Sequence, residues 1–137
     1  MNVLEIPFVQ KVGLTHNEKG KLILPMDKSN ENHIKTIHAS AQFTLAETLS
    51  GEALQKTFPH LVGHVVPILR ESEIKFKKPA TSEIYGLAHI DHVTKEKFEE
   101  QLAKKGRASI SVDVEIKDTN EILTCSGRFE WFIQKIN

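Results

Sequence analysis

The clearest pattern in the chain is an alternation of hydrophobic and polar residues in its last third. Apolar residues occupy every second position of one segment: Ala108, Ile110, Val112, Val114 and Ile116. This period of two predicts a strand with one buried face. The segment Asp118 to Glu121 predicts a turn, after which a second apolar face returns: Cys125, Gly127, Phe129, Trp131 and Ile133. The two segments therefore predict an antiparallel hairpin.

The strongest helix prediction runs from about Ile37 to Lys56, a stretch without proline that is rich in alanine and leucine. Its apolar residues point in nearly every direction. A helix of this kind is surrounded by the rest of the protein.

Shorter elements complete the pattern. Strands are predicted at Lys21–Pro25, Glu71–Lys78 and Glu83–His92, with a polar loop at Asp27–Asn32. A small amphipathic helix is predicted over Lys95–Lys105, ended by a glycine. The order predicts one α+β domain over residues 1–137, in which a mostly antiparallel sheet wraps one long helix.

Composition narrows the classes of function. Eighteen Lys and Arg balance eighteen Asp and Glu in 137 residues, so no basic field favours nucleic acid. The longest apolar runs are too short to span a membrane, and the N-terminus has no signal-peptide pattern. A lone cysteine, Cys125, cannot form an internal disulfide and fits a reducing compartment. We therefore expect a cytoplasmic protein that binds neither nucleic acid nor membrane.

Glu47 is the most unusual ionisable residue of the long helix. Its predicted face also carries small and apolar residues: Ser40, Phe43, Thr44, Gly51 and Leu54. A carboxylate there is held partly away from water, which predicts a raised pKa, as in a general base. A structural glutamate paired with a lysine or with backbone amides is the alternative. On the functional interpretation, Ser40, Phe43 and Thr44 are predicted to contact substrate.

The loop before this helix adds a second set of polar groups. Asn32 lies six residues before His38, and both precede the helix N-terminus, where backbone N–H groups lack partners. Such an end can donate hydrogen bonds to an oxyanion.

Together these residues resemble the signature of hotdog-fold acyl-CoA thioesterases, especially the PaaI-like and YiiD C-terminal-like branches. The similarity lies in NHIKTIHASAQFTLAETLSG, in a strand ending in Lys-Pro-Ala, and in a final hairpin ending in Phe-Glu-Trp-Phe, and it covers about residues 20 to 135. The resemblance implies that Glu47 is the catalytic carboxylate, acting on water or attacking the thioester. It also implies that the N–H of Ala39 and the side chain of Asn32 polarise the carbonyl, while His38 shapes the loop or contacts substrate.

One departure from the resembled pattern is that Ala39-Ser40 replaces a Gly-Gly pair. A backbone N–H survives this change, but the added methyl group crowds the pocket and requires ordinary helical φ and ψ angles. The departure therefore bears on acyl preference and on activity.

The spacing of Ala39 and Glu47 bears on assembly. Eight residues at 1.5 Å rise place them about 12 Å apart along the helix, too far for both to address one carbonyl. We therefore predict a homodimer whose two sites each combine residues of both chains, and the hotdog resemblance implies the same. Whether dimers associate into tetramers stays open.

Several weaker patterns have both a functional and a structural interpretation. Lys75, Lys77 and Lys78 with Arg107 could bind the phosphates of coenzyme A, although charged strand residues usually form a solvated face. Histidine pairs at 60/64 and 89/92 lack a third ligand, so no metal is predicted. Cys125 is predicted to pack in the core. No serine-hydrolase motif surrounds Ser40.

The predicted function is hydrolysis of an acyl-CoA thioester to free acid and CoA, with no cofactor beyond the CoA of the substrate. Two alternatives remain open. One is a hotdog module that binds acyl-CoA or a fatty acyl group without cleaving it. The other is a hydratase or dehydratase, which is disfavoured because the phenylalanine-proline-glycine loop typical of acyl carrier protein dehydratases is absent before the helix.

Overall fold

The computed structural model describes residues 1–136. Three α-helices are present: α1 (Pro7–Val12), α2 (Ala39–Thr57) and α3 (His92–Lys105). Six strands accompany them: β1 (Thr15–His16), β2 (Leu22–Leu24), β3 (Val65–Phe76), β4 (Ile84–His89), β5 (Arg107–Asp118) and β6 (Leu123–Lys135). Short 3-10 turns lie at Val3–Glu5, Lys28–Asn30 and Pro59–Leu61.

The six strands form one antiparallel sheet in the order β1-β2-β4-β5-β6-β3. Helix α2 packs against β2, β4, β5 and β6, so the sheet curves around the helix rather than lying flat beneath it. The predicted α+β arrangement, with a sheet wrapped around one long helix, is confirmed.

The hairpin of β5 and β6 supplies much of the core, as its alternation predicts. Every even-numbered residue of β5 from 108 to 118 is buried, whereas the odd-numbered residues are exposed or half-buried. On β6, Cys125, Phe129 and Ile133 are buried on the same face. Burying these side chains stabilises the fold by roughly 1.5–3 kcal/mol for each large aliphatic or aromatic group.

Helix α2 lies close to β4 because one strand residue has no side chain. A Cβ added at Gly86 would collide with the side chains of Leu49 on α2 and Ile116 on β5. Gly86 therefore fixes the depth at which the helix sits in the sheet. The helix itself carries buried residues on most of its circumference, which confirms that the rest of the chain surrounds it.

Several element boundaries differ from the prediction. Strand β3 begins at Val65 rather than Glu71, because its first half pairs with β6 although it lacks alternation and contains Pro67. Helix α3 begins at His92 rather than Lys95, since the Asp91 side chain accepts a hydrogen bond from the Thr94 N–H and caps the helix. Within residues 1–136, no helix is long and apolar enough to cross a membrane.

The N-terminal segment has structure that the sequence patterns did not indicate. Pro7 occupies the first turn of α1, and Gly13 ends the helix in a left-handed conformation with φ 100°. Val3 and Val9 are buried against the core. This segment contributes to the wall of the cavity described next.

Candidate active site

Glu47 lies in the middle of α2, and its side chain lines an apolar cavity of about 490 Å³. Thr44, Thr48 and Gly51 of the same helix line the cavity beside it, together with Trp131 of β6. The indole is held in place because its Nε1 donates to Ser50 Oγ at 2.9 Å. Of the predicted small and apolar residues around Glu47, Thr44, Gly51 and Leu54 line this cavity.

The Glu47 carboxylate forms no hydrogen bond or ion pair with any residue in the described range 1–136. Burial raises the pKa of Glu47 above its ordinary value, because a low-dielectric environment disfavours the charged form. The structural alternative, a glutamate paired with a lysine, does not describe this residue. An unpaired and partly desolvated carboxylate is a strong proton acceptor once it ionises.

The two threonines beside Glu47 have already used their hydroxyl protons. Thr44 Oγ1 donates to the carbonyl of Ser40 at 2.9 Å, and Thr48 Oγ1 donates to the carbonyl of Thr44 at 2.6 Å. Their oxygens can still accept a hydrogen bond from water or substrate. They therefore add polarity next to Glu47 without neutralising it.

The N-terminus of α2 is organised by His38. Its Nδ1 accepts the N–H of Ser40 at 2.9 Å, so the imidazole is the N-cap of the helix and Nδ1 carries no proton. The N–H of Ala39 has no partner among residues 1–136, and Ala39 is exposed. The helix thus presents one free backbone donor at a positively polarised end.

Asn32 has a structural task in the loop before the helix. Its Oδ1 accepts the N–H groups of Ile34 and Thr36, and its Nδ2 donates to Thr36 Oγ1 at 2.7 Å. One hydrogen of Nδ2 is left over for another acceptor. The structure therefore assigns Asn32 to loop ordering, and the predicted contact with a thioester carbonyl stays a prediction.

The remaining predicted substrate residues separate into two groups. Thr44 lies in the cavity wall, whereas Phe43 packs edge-on against Phe129 with 5.5 Å between ring centroids, and Ser40 is exposed at the helix start. Their contact with substrate is not tested by these positions.

The basic cluster is not formed within one chain. Lys77 and Lys78 follow the end of β3 where Phe76 pairs with Cys125, whereas Arg107 pairs with Gln134 at the other end of β6. Nine residues of strand separate the two levels, roughly 30 Å at 3.3 Å per residue. A single chain cannot bring these cations to the same phosphate.

Sequence patterns missed the part of the cavity wall that comes from the N-terminal segment. Val3, Ile6, Phe8 and Val9 line the cavity. Proline at 7 and glycine at 13 were the only local signals, because six helical residues are too few to show a periodicity.

Within residues 1–136, no group of three metal-ligating side chains is assembled.

Residues 6–133 match the family model described as a domain of unknown function, DUF4442. This chain belongs to that family. No match is found among curated proteins.

Solved structures show the same fold over nearly the whole chain. The protein PA5026 of Pseudomonas aeruginosa, described as a probable thioesterase, is 28% identical, with a TM-score of 0.81 over 98% of this chain and 91% of that one. The thioesterase HI1161 of Haemophilus influenzae is 15% identical, with a TM-score of 0.75 over 97% and 86%. The hotdog fold predicted from the sequence is confirmed.

A third solved structure contains a ligand. The BH2602 protein of Bacillus halodurans, solved with CoA, is 18% identical, with a TM-score of 0.68 over 89% of this chain and 72% of that one.

Proposed function

We propose that this protein hydrolyses acyl-CoA thioesters to the free acid and CoA. The observation that carries the proposal is the unpaired, half-buried carboxylate of Glu47 in an apolar cavity. Support comes from its likeness to proteins described as thioesterases and from the CoA present in one structure of the same fold. The lone cysteine, which is buried and free, fits the reducing cytoplasm as the place of action.

In the proposed reaction, Glu47 removes a proton from a water molecule as the water oxygen bonds to the thioester carbon. The carbonyl oxygen becomes an oxyanion, which the free N–H of an Ala39 stabilises. The carbon–sulfur bond then breaks, and the departing sulfur receives the proton that Glu47 carries. In the alternative route, the Glu47 carboxylate attacks the thioester carbon, the carbon–sulfur bond breaks, and the departing thiolate takes a proton from water. The resulting hydroxide then cleaves the anhydride between Glu47 and the acyl group, which releases the acid and restores the carboxylate.

The two halves of this chemistry come from different chains in our proposal. Ala39 and Glu47 belong to one straight helix and lie about 12 Å apart along it. Strand β3, at the edge of the sheet, supplies a surface for a second copy. Val66, Ile68 and Phe76 are 46%, 52% and 47% exposed there, and an unpaired apolar edge favours strand pairing. We therefore propose a homodimer in which each Glu47 faces the partner's Ala39.

The same dimer brings the separated cations together. If the β3 strands of two chains pair antiparallel, the C-terminal end of one β3, which Lys77 follows, lies beside the N-terminal end of the partner's β3. The partner's Arg107 lies at that same end of the partner's sheet. Lys77 and Lys78 of one chain and an Arg107 of the other could then share the phosphates of one CoA. This arrangement keeps the predicted role of these residues as part of the proposal.

The proposal is tested by two variants and a panel of acyl-CoAs. Glu47→Gln removes the base, and Ala39→Pro removes only the N–H, since proline fits the first helical position. His38 already has the extended φ of −60° and ψ of 140° that a following proline requires. Release of free thiol should fall by about 10²–10⁴-fold in Glu47→Gln and by about 10²–10³-fold in Ala39→Pro, with the fold unchanged.

Mixing the two variants tests the dimer. In a randomised 1:1 mixture, half of the dimers are hybrids, and each hybrid has one intact site of two. About a quarter of wild-type activity should therefore return. No recovery after confirmed subunit exchange would place Ala39 and Glu47 of the same chain in one site, or remove one of them from the reaction.

The panel also separates the alternatives. Binding of acyl-CoA without thiol release by the wild type would indicate a non-catalytic binding module. A product that carries a new hydroxyl group or double bond would indicate a hydratase or dehydratase.

A further inference from the structure

The cavity beyond Glu47 has a direction. Three of its four polar α2 side chains, Glu47, Thr44 and Thr48, lie within about one helical turn of one another, and its far end along α2 is formed by Phe58, Phe98 and Leu61. Between these two levels the α2 lining is Gly51, Leu54 and Gln55, and Gln55 Oε1 already accepts a hydrogen bond from the Met1 amine at 3.0 Å. A ligand with a polar head at Glu47 and a hydrocarbon tail towards the end of α2 matches this gradient.

The length of the cavity fits a medium chain. Eleven residues separate Glu47 from Phe58, which is about 16 Å along the helix. A carbon–carbon bond of about 1.5 Å advances an extended chain by roughly 1.3 Å, so about a dozen carbons span this distance. A volume of about 490 Å³ lies within the range of pockets that hold ligands of this size.

Gly51 lies in this passage, one helical turn beyond Glu47. Its backbone is helical, so the conformation does not require glycine. An added Cβ would lie 3.5 and 3.6 Å from two ring atoms of Trp131, which is ordinary contact. Alanine therefore fits, and alanine stabilises a helix relative to glycine. Neither the backbone nor the packing requires glycine here, and both Gly51 and Trp131 line the cavity.

We infer that the cavity accepts acyl chains of about eight to twelve carbons, and that Gly51, which lines the cavity beside Trp131, sets the width of the cavity at its level. The inference rests on the proposed function for the identity of the polar head. A side chain at position 51 would meet the tail about 6 Å beyond Glu47, which corresponds to about five carbons.

Binding to a Glu47→Gln background tests the inference without turnover. Butyryl-, octanoyl- and dodecanoyl-CoA are titrated calorimetrically into proteins with Gly51, Gly51→Ala or Gly51→Val. With glycine, affinity should rise by roughly fourfold for each added methylene until about twelve carbons. With valine, the rise should stop near six carbons, so the preference for dodecanoyl- over butyryl-CoA falls by at least 100-fold.

Two controls keep the result interpretable. Ala53→Val also places a valine on α2, but position 53 does not line the cavity, so its chain-length profile should match that of the parent. Gly51→Ala should raise the melting temperature while reducing the preference for long chains. This combination separates a functional glycine from a merely destabilising substitution.

The outcomes distinguish the inference from the proposed function. Equal loss of affinity at all chain lengths in folded Gly51→Val, or no loss at any, would overturn the inference while leaving hydrolysis intact. A profile that shortens as expected in a protein that hydrolyses none of these substrates would uphold the inference about chain length and overturn the thioesterase.

Discussion

Helix α2 carries two glutamates five residues apart, and their surroundings differ. Glu52 accepts from Lys56 at 3.2 Å and lies 3.2 Å from His16 Nε2, with its side chain 14% exposed. Glu47 has no such partner within residues 1–136 and faces the cavity. Five residues turn the helix by about 140°, so the two carboxylates point to different parts of the protein.

The difference shows what a carboxylate needs before it can act on a substrate. Glu52 is paired with Lys56 and lies within hydrogen-bond distance of His16, which makes it a stabilising group. Glu47 is desolvated without compensation, which costs stability but keeps its lone pairs free. Residue type is the same in both cases, and the environment decides the role.

The largest expected effect concerns turnover. Glu47→Gln should reduce kcat by about 10²–10⁴-fold, the usual contribution of a general base. Glu52→Gln should leave kcat within about threefold of wild type, because Glu52 only tethers His16 and Lys56. Both are measured by thiol release from the best acyl-CoA of the panel. Equal losses in the two variants would refute the distinction.

A smaller effect is expected on stability, where the substitution of Glu52 should cost more than that of Glu47. Glu52→Gln should lower the free energy of unfolding by about 1 kcal/mol, since it weakens two polar contacts of a mostly buried group. For a domain of this size the melting temperature should fall by about 3 °C. Glu47→Gln should be neutral or stabilising, because it removes an uncompensated charge. Destabilisation by Glu47→Gln would reveal a partner for Glu47.

The smallest effect is a dependence on pH. Because burial raises the pKa of Glu47, the proposed base is lost as pH falls through that raised value, and kcat should fall with it. Stability should change in the other direction. The folded protein favours the protonated form of Glu47. The contribution of this group to the free energy of unfolding is therefore full below the ordinary carboxyl pKa and is lost as pH rises through the raised pKa. Wild type should therefore lose stability relative to Glu47→Gln over that interval.

Periodic and compositional signals predicted the parts of the fold that depend on local pattern. The β5–β6 hairpin and α2 follow from alternation and helix-forming residues, and the structure has both. The beginning of β3 could not be predicted because Val65 to Arg70 has no alternation. The β6 residues with which it pairs lie more than 60 positions away in the sequence.

The site divides in the same way. Glu47 could be selected because local helix geometry places it among small and apolar residues. The contributions of Trp131 and the N-terminal segment could not, since they depend on where distant elements pack. The levels of Lys77, Lys78 and Arg107 in the sheet could not be predicted, because the sequence alone does not show which residues of two strands pair.

The burial of Cys125 has a practical consequence for enzymology. This residue is the lone cysteine of the chain, its side chain is fully enclosed beneath the sheet, and desolvation raises the pKa of its thiol to about 12. A thiolate is the species that reacts with disulfide dyes, and at neutral pH this one is scarcely formed. A colorimetric reagent present throughout a reaction will therefore count coenzyme molecules alone, with no background from the catalyst and no inactivation of it.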